Sequence, residues 1–132
     1  MTSSGIVKLG DFGISRVLNT TLDKAKTLVG TPYYLAPEIV NEKNYSFEAD
    51  IWSLGVIAYE LCALKPPFDA NSIPALALKI SKGNYSPIPT AYSKDLKFLI
   101  NQMLNKDPLK RPNISQILSL LNRISCHSEQ NQ

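Results

Sequence analysis

The chain has 132 residues, 44% of them hydrophobic and 19% charged, with a formal net charge of +3. That length can bury a core, and that balance excludes a chain too polar to fold. The Lys and Arg residues are scattered rather than massed in one stripe, which argues against direct nucleic-acid binding.

Cys62 lies in an apolar run and Cys126 in a polar tail, so they read as free thiols of a reducing compartment rather than a disulfide framework. No charged-then-apolar signal-peptide pattern opens the sequence. The apolar run from Ile51 to Leu64, interrupted by Glu60, is too short and too polar to span a bilayer. The expectation is an intracellular protein with no membrane span. His127, the single histidine, has no Cys or carboxylate cluster around it at ligand spacing, so a metal role is not expected for it.

In chain order, Ile6-Val7-Lys8-Leu9 is β-branched and bounded by Gly5 and Gly10, the pattern of a short strand. Val17 to Gly30 has no sustained period and reads as a long loop, a length that is usually functional or mobile. Helices follow. Phe47 to Leu64 is apolar around nearly its whole circumference, which predicts a helix at the centre of a helical domain, stopped by Pro66-Pro67. Ser72 can cap a short helix ending at Gly83. Ser93 can cap the next, where Leu96, Leu99, Ile100, Met103 and Leu104 form one apolar stripe. For the last helix, Asn113 and Gln116 imitate a capping box, and its inward face is expected to carry Ile114, Ile117, Leu118, Leu121 and Ile124. The fold class is therefore mainly α: a short β strand or hairpin, a long loop, then a helical bundle. The polar stretch 125–132 reads as a frayed tail.

Four short signatures stand in one order on these elements: Asp11-Phe12-Gly13 after the strand, Gly30-Thr31-Pro32-Tyr33-Tyr34 leading to Ala36-Pro37-Glu38, Asp50-Ile51-Trp52-Ser53-Leu54-Gly55 opening the apolar helix, and Lys110-Arg111-Pro112 before the last one. Together they resemble the eukaryotic serine/threonine protein kinases from the DFG motif onward, over residues 1–124 as a partial kinase domain. The run from Gly30 to Glu38, the paired tyrosines and Leu61-Cys62-Ala63-Leu64 look most like the NIMA-related kinases.

The resemblance implies ATP and Mg²⁺ as cofactors and phosphoryl transfer to a protein Ser/Thr hydroxyl. It makes Asp11 the carboxylate that holds Mg²⁺ against the ATP phosphates, Phe12 a packing residue, and Gly13 the point where the backbone switches setting. A turn role for Asp11 is the plainer alternative. Residues 11–38 would form an activation segment. Thr27 is its candidate phosphosite, for an upstream activating kinase, with Thr20 and Thr21 behind it. The alternative for all three is a solvated loop hydroxyl. Thr31 would face the catalytic loop and the substrate hydroxyl.

Glu38 and Arg111 would pair beneath this segment as a structural brace. Asp50 has two readings, a helix-dipole partner in the first turn or the family's acid that holds the catalytic-loop backbone. Trp52 is core under either. No glycine-rich loop, strand lysine or His-Arg-Asp loop is present. The chain alone is therefore expected to be inactive, with an unpartnered apolar face on the central helix and marginal stability. A non-catalytic docking or regulatory module is the alternative. By resemblance the protein is cytoplasmic and associated with the cytoskeleton.

Overall fold

The computed structural model describes residues 32–130, and over these the chain is helical, with no strand among them. The strand expected at Ile6 to Leu9 and the loop from Val17 to Gly30 lie outside the described residues. A single 3-10 turn at Pro32–Tyr34 leads into α1 (Pro37–Val40), followed by α2 (Phe47–Ala63), α3 (Ile73–Lys82), α4 (Lys94–Met103), a second 3-10 turn at Pro108–Lys110, and α5 (Ile114–Gln130).

Local chemistry sets most of these boundaries. Pro37 opens α1 at a position whose N–H has no intrahelical acceptor in any case. Leu64 ends α2 in the left-handed region at φ 58°, its N–H returning to the Glu60 carbonyl at 2.8 Å. The two prolines that follow forbid another turn. The hydroxyls of Ser72 and Ser93 accept from the N–H groups of Ala75 at 3.3 Å and Leu96 at 3.2 Å, so both predicted caps are present. Gly83 closes α3 at φ 70°, a conformation that only glycine adopts without strain. At α5 the capping box is complete. Asn113 Oδ1 accepts from Gln116 N–H, and Gln116 Oε1 accepts from Asn113 N–H, both at 2.9 Å.

The core forms around α2. Trp52, Val56 and Tyr59 are fully buried, joined by Phe68, Leu76, Ile80, Ile88, Ile100 and Leu104 from the elements around it. Gly55 brings α4 unusually close, since a Cβ there would stand 2.8 Å from Met103 Cβ. Ile51, Leu99 and Met103 meet Ile117 of α5 in a second, smaller cluster. The opposite stripe of α2, carrying Phe47, Leu54, Ile57 and Leu61, is exposed.

One expectation fails. Ile114, Leu118 and Leu121 of α5 are exposed, and the inward residues are Ile117, Leu120 and Ile124. The apolar arc of α5 is wide enough for two overlapping stripes, but the helix packs mainly against α4, and one neighbour covers one stripe. The polar residues from Ser125 onward continue α5 as helix to Gln130, with Ser128 Oγ donating to the Ile124 carbonyl at 3.0 Å.

Candidate functional site

The centre of the site is Arg111, a cation buried to 6% exposure just before α5. A guanidinium carries five N–H donors in a fixed fork, and here every one is matched. Nη1 donates to Glu38 Oε1 at 2.6 Å and to the Glu48 carbonyl at 2.7 Å. Nη2 donates to Glu38 Oε2 at 2.8 Å and to the Lys106 carbonyl at 3.4 Å. Nε donates to the Asn105 carbonyl at 2.8 Å.

Glu38, also 6% exposed, thereby receives both arms of the fork, the bidentate geometry in which Arg is strongest. Proline at the start of α1 aims this glutamate inward, and the turn at Pro108–Lys110 aims the arginine. Asp107 fixes that turn by accepting from Leu109 N–H at 3.0 Å. The pair foreseen from the sequence is therefore formed, and it ties α1 to the first turn of α2 and to the chain just after α4.

Beneath it runs an aromatic column. The Arg111 guanidinium carbon lies 5.1 Å from the Trp52 ring centroid, a cation–π distance. Trp52 stacks on Phe68 with centroids 5.6 Å apart and planes 10° apart. Phe68 meets Tyr85 edge-on at 5.8 Å, and Tyr85 meets Tyr59 edge-on at 5.5 Å. The buried charge is thus continuous with the core rather than a surface ornament.

The segment entering α1 is fastened to α2 by polar contacts. Ser53 Oγ donates to the Tyr34 carbonyl at 2.9 Å, and the Tyr34 hydroxyl donates to Glu60 Oε2 at 3.2 Å. The Tyr33 hydroxyl donates to Asp69 Oδ1 at 3.3 Å. The Asp69 carboxylate beside it holds the Tyr33 phenol above its ordinary pKa, and burial followed by the Glu60 charge does the same for Tyr34. Both phenols are therefore hydrogen-bond donors at neutral pH.

Asp50 sits exposed in the first turn of α2 and accepts from the Tyr45 hydroxyl. Burial, then this bond and the Asp50 charge, push the Tyr45 pKa up to about 12. The first-turn position suits a helix-dipole role, and the exposed carboxylate is also open to a further partner. Asp11, Phe12, Gly13, Thr20, Thr21, Thr27 and Thr31 lie outside the described residues. Among the described residues, no group of His, Cys, Asp or Glu could hold a metal ion, and no helix is long and apolar enough to cross a membrane.

Sequence reasoning did not find Tyr45 or the carbonyls of Glu48, Asn105 and Lys106. Backbone acceptors leave no trace in residue identity. The Asp107-Pro108 dipeptide was a usable turn signal for the element that aims Arg111.

The helical lobe, the buried pair and the order of motifs converge on one class of protein. Residues 1–120 match the protein kinase domain, and the chain belongs to that family. It is 55% identical over 115 residues to the probable serine/threonine-protein kinase nek3 of Dictyostelium discoideum, covering 86% of this chain and 10% of that relative. It is 48% identical over 118 residues to serine/threonine-protein kinase Nek1 of Mus musculus, covering 89% of this chain and 10% of that relative. For serine/threonine-protein kinase Nek2 of Homo sapiens the identity is 52% over 112 residues, covering 85% of this chain and 25% of that relative. The chain therefore spans between 10% and 25% of the length of these relatives.

Proposed function

We propose that the chain is the substrate-side portion of an ATP-dependent protein serine/threonine kinase, and that by itself it transfers no phosphate. The observation that carries this reading is the buried Glu38–Arg111 pair, which fixes α1, with Glu38 seven residues along the sequence from Thr31, to the helical bundle. A peptide hydroxyl must be held in line with the phosphoryl donor, and a rigid platform supplies that positioning.

In this reading Asp11 would hold the Mg²⁺ of Mg²⁺·ATP, which supplies charge neutralisation at the transferring phosphate. Thr31 would lie beside the catalytic loop, and Asp50, whose carboxylate is exposed, would hold that loop's backbone. Thr27, with Thr20 and Thr21 as secondary candidates, would accept phosphate from an upstream kinase and answer basic side chains with the added charge. The partners are then protein substrates with a Ser or Thr acceptor. The location is cytoplasmic, with cytoskeletal association by likeness to the NIMA-related kinases.

The exposed stripe of α2 favours a second reading, a non-catalytic module that docks through its helical lobe. One assay separates the two. The purified chain is given Mg²⁺·ATP and a generic Ser/Thr substrate protein, alone and mixed with the glycine-loop half of the Nek2 kinase domain. The first reading expects no transfer alone and transfer in the mixture that Asp11→Ala abolishes. Asp11-dependent transfer by the chain alone would refute its inactivity, and no transfer in either sample would favour the docking module.

A further inference from the structure

An open groove of about 610 Å³ lies between α4 and α5, far along the chain from Asp11 and the paired tyrosines. Phe98 and Gln102 of α4 form one wall, and Gln116, Ser119 and Leu120 of α5 form the other. Leu109 and Lys110 stand over one end. Two bulky apolar side chains at its rim face water, Phe98 at 55% exposure and Leu109 at 87%.

The groove has a definite electrostatic sign. Among the described residues no acidic side chain lines it, and the buried cation behind it, Arg111, is already matched by Glu38. Lys110 stands at one end, and among the described residues it makes no ion pair. Lys94 lies one helical turn before Phe98 on the same stripe of α4, and Arg123 lies one turn beyond Ser119 on α5. The two helices run antiparallel, because Ser93 and Asp95 share a small neighbouring cavity with His127 and Ser128. Lys94 and Arg123 therefore lie on the two helices toward the end opposite Lys110.

Acid is scarce in this part of the molecule. Of the acidic residues between 32 and 130, only Asp95, Asp107 and Glu129 lie beyond Ser93. Asp107 is engaged in capping its own turn, and Asp95 faces the smaller cavity.

We propose that this groove docks a short acidic peptide segment of another protein. One bulky apolar side chain seats between Phe98 and Leu109. Carboxylates before and after it meet Lys110 at one end and Lys94 with Arg123 at the other. The hydroxyls of Ser115 and Ser119 offer hydrogen bonds to the peptide backbone along the way. Ser115 to Arg123 spans about 12 Å at the helical rise, roughly four residues of extended peptide, so the acids must lie close to the anchor. The match rests on charge complementarity around an apolar anchor, the arrangement in which the anchor gives affinity and the rim gives specificity. It is independent of whether the chain takes part in phosphoryl transfer.

The test is fluorescence anisotropy with the full chain and a labelled synthetic peptide carrying a central leucine pair flanked by glutamates. The matched control has lysines in place of the glutamates, and unlabelled heparin serves as a competitor. The proposal expects saturable binding of the acidic peptide that weakens with added salt. It expects about tenfold loss for Phe98→Ala and for Lys110→Glu, and none for Lys65→Glu at the far end of α2. Both substituted side chains are exposed, and circular dichroism verifies that the variants fold. Equal binding of the lysine peptide would overturn the proposal in favour of apolar capture. Binding that heparin displaces and that Phe98→Ala leaves unchanged would overturn it in favour of a general polyanion surface. Absence of saturable binding to the folded wild-type chain would reject it outright.

Discussion

Along one side of α2, Ile51, Trp52, Val56 and Tyr59 are at most 7% exposed, whereas on another side Phe47, Leu54, Ile57 and Leu61 range from 42% to 87%. The two stripes are comparably apolar and belong to one unbroken helix, so hydrophobicity alone does not decide which is covered. What differs is the neighbours. The closed side meets α4 through the gap left by Gly55, the Phe68 ring and the Arg111 guanidinium. On the open side the Pro32–Tyr34 turn reaches only the Ser53 and Glu60 edge and leaves the apolar side chains exposed. Apolar burial stabilises at about 25 cal/mol per Å² only when something arrives to cover the surface. Among the described residues, apolar stabilisation is therefore concentrated on one side of the central helix.

Substitutions sharpen or break that contrast. The largest effect is expected at the brace. Replacing Glu38 by Gln or Arg111 by Ala strands a buried charge, and the loss should be about 3–5 kcal/mol by urea denaturation. Arg111→Lys should rescue little of it, because an ammonium cannot serve both Glu38 oxygens and three carbonyls from one plane. Next come paired truncations across the helix. Ile100→Ala removes a fully buried side chain from the closed side and should cost about 2–5 kcal/mol. Leu54→Ala on the open side should change stability by less than about 0.5 kcal/mol. Equal costs for the two would erase the asymmetry.

Gly55→Ala tests how tightly the closed side is built. The added methyl meets Met103 Cβ at 2.8 Å, a contact with no flexible end to yield, and about 1–3 kcal/mol should be lost. The smallest effect concerns pH. The Tyr45 phenol is raised from 10.0 to about 12 in the folded chain, so the folded state holds its proton more tightly than the unfolded state does. Its contribution to stability is full below pH 10, and it falls as pH rises through about 12. Tyr45→Phe should flatten the stability profile across that window, read as denaturation midpoints in alkaline buffers. Tyr85, also raised to about 12 by burial, leaves a residual slope.

The sequence made visible those features that depend on residue type at fixed spacing. Ser72, Ser93 and the Asn113–Gln116 box are such features, because a cap is a local contact between near neighbours. Trp52 in the core and the Glu38–Arg111 pair were also legible, the latter through the likeness to protein kinases. The inward face of α5 was not, because six apolar residues from Ile114 to Ile124 fit two overlapping stripes and only the position of α4 chooses between them. The carbonyls that complete Arg111 and the stacking order Trp52, Phe68, Tyr85, Tyr59 are set by tertiary placement, which periodicity does not encode. The role of Asp11 and of the threonines before Pro32 was read from motif order, and those residues lie outside the described residues.

The most direct test of the account is a double-mutant cycle on Glu38 and Arg111, using Glu38→Gln, Arg111→Met and the pair, with unfolding followed in urea. A buried pair that ties α1 to the bundle predicts a coupling energy above about 2 kcal/mol. It also predicts that the double variant is no less stable than the worse single one. A coupling below about 0.5 kcal/mol, the value of an exposed surface pair, would contradict it.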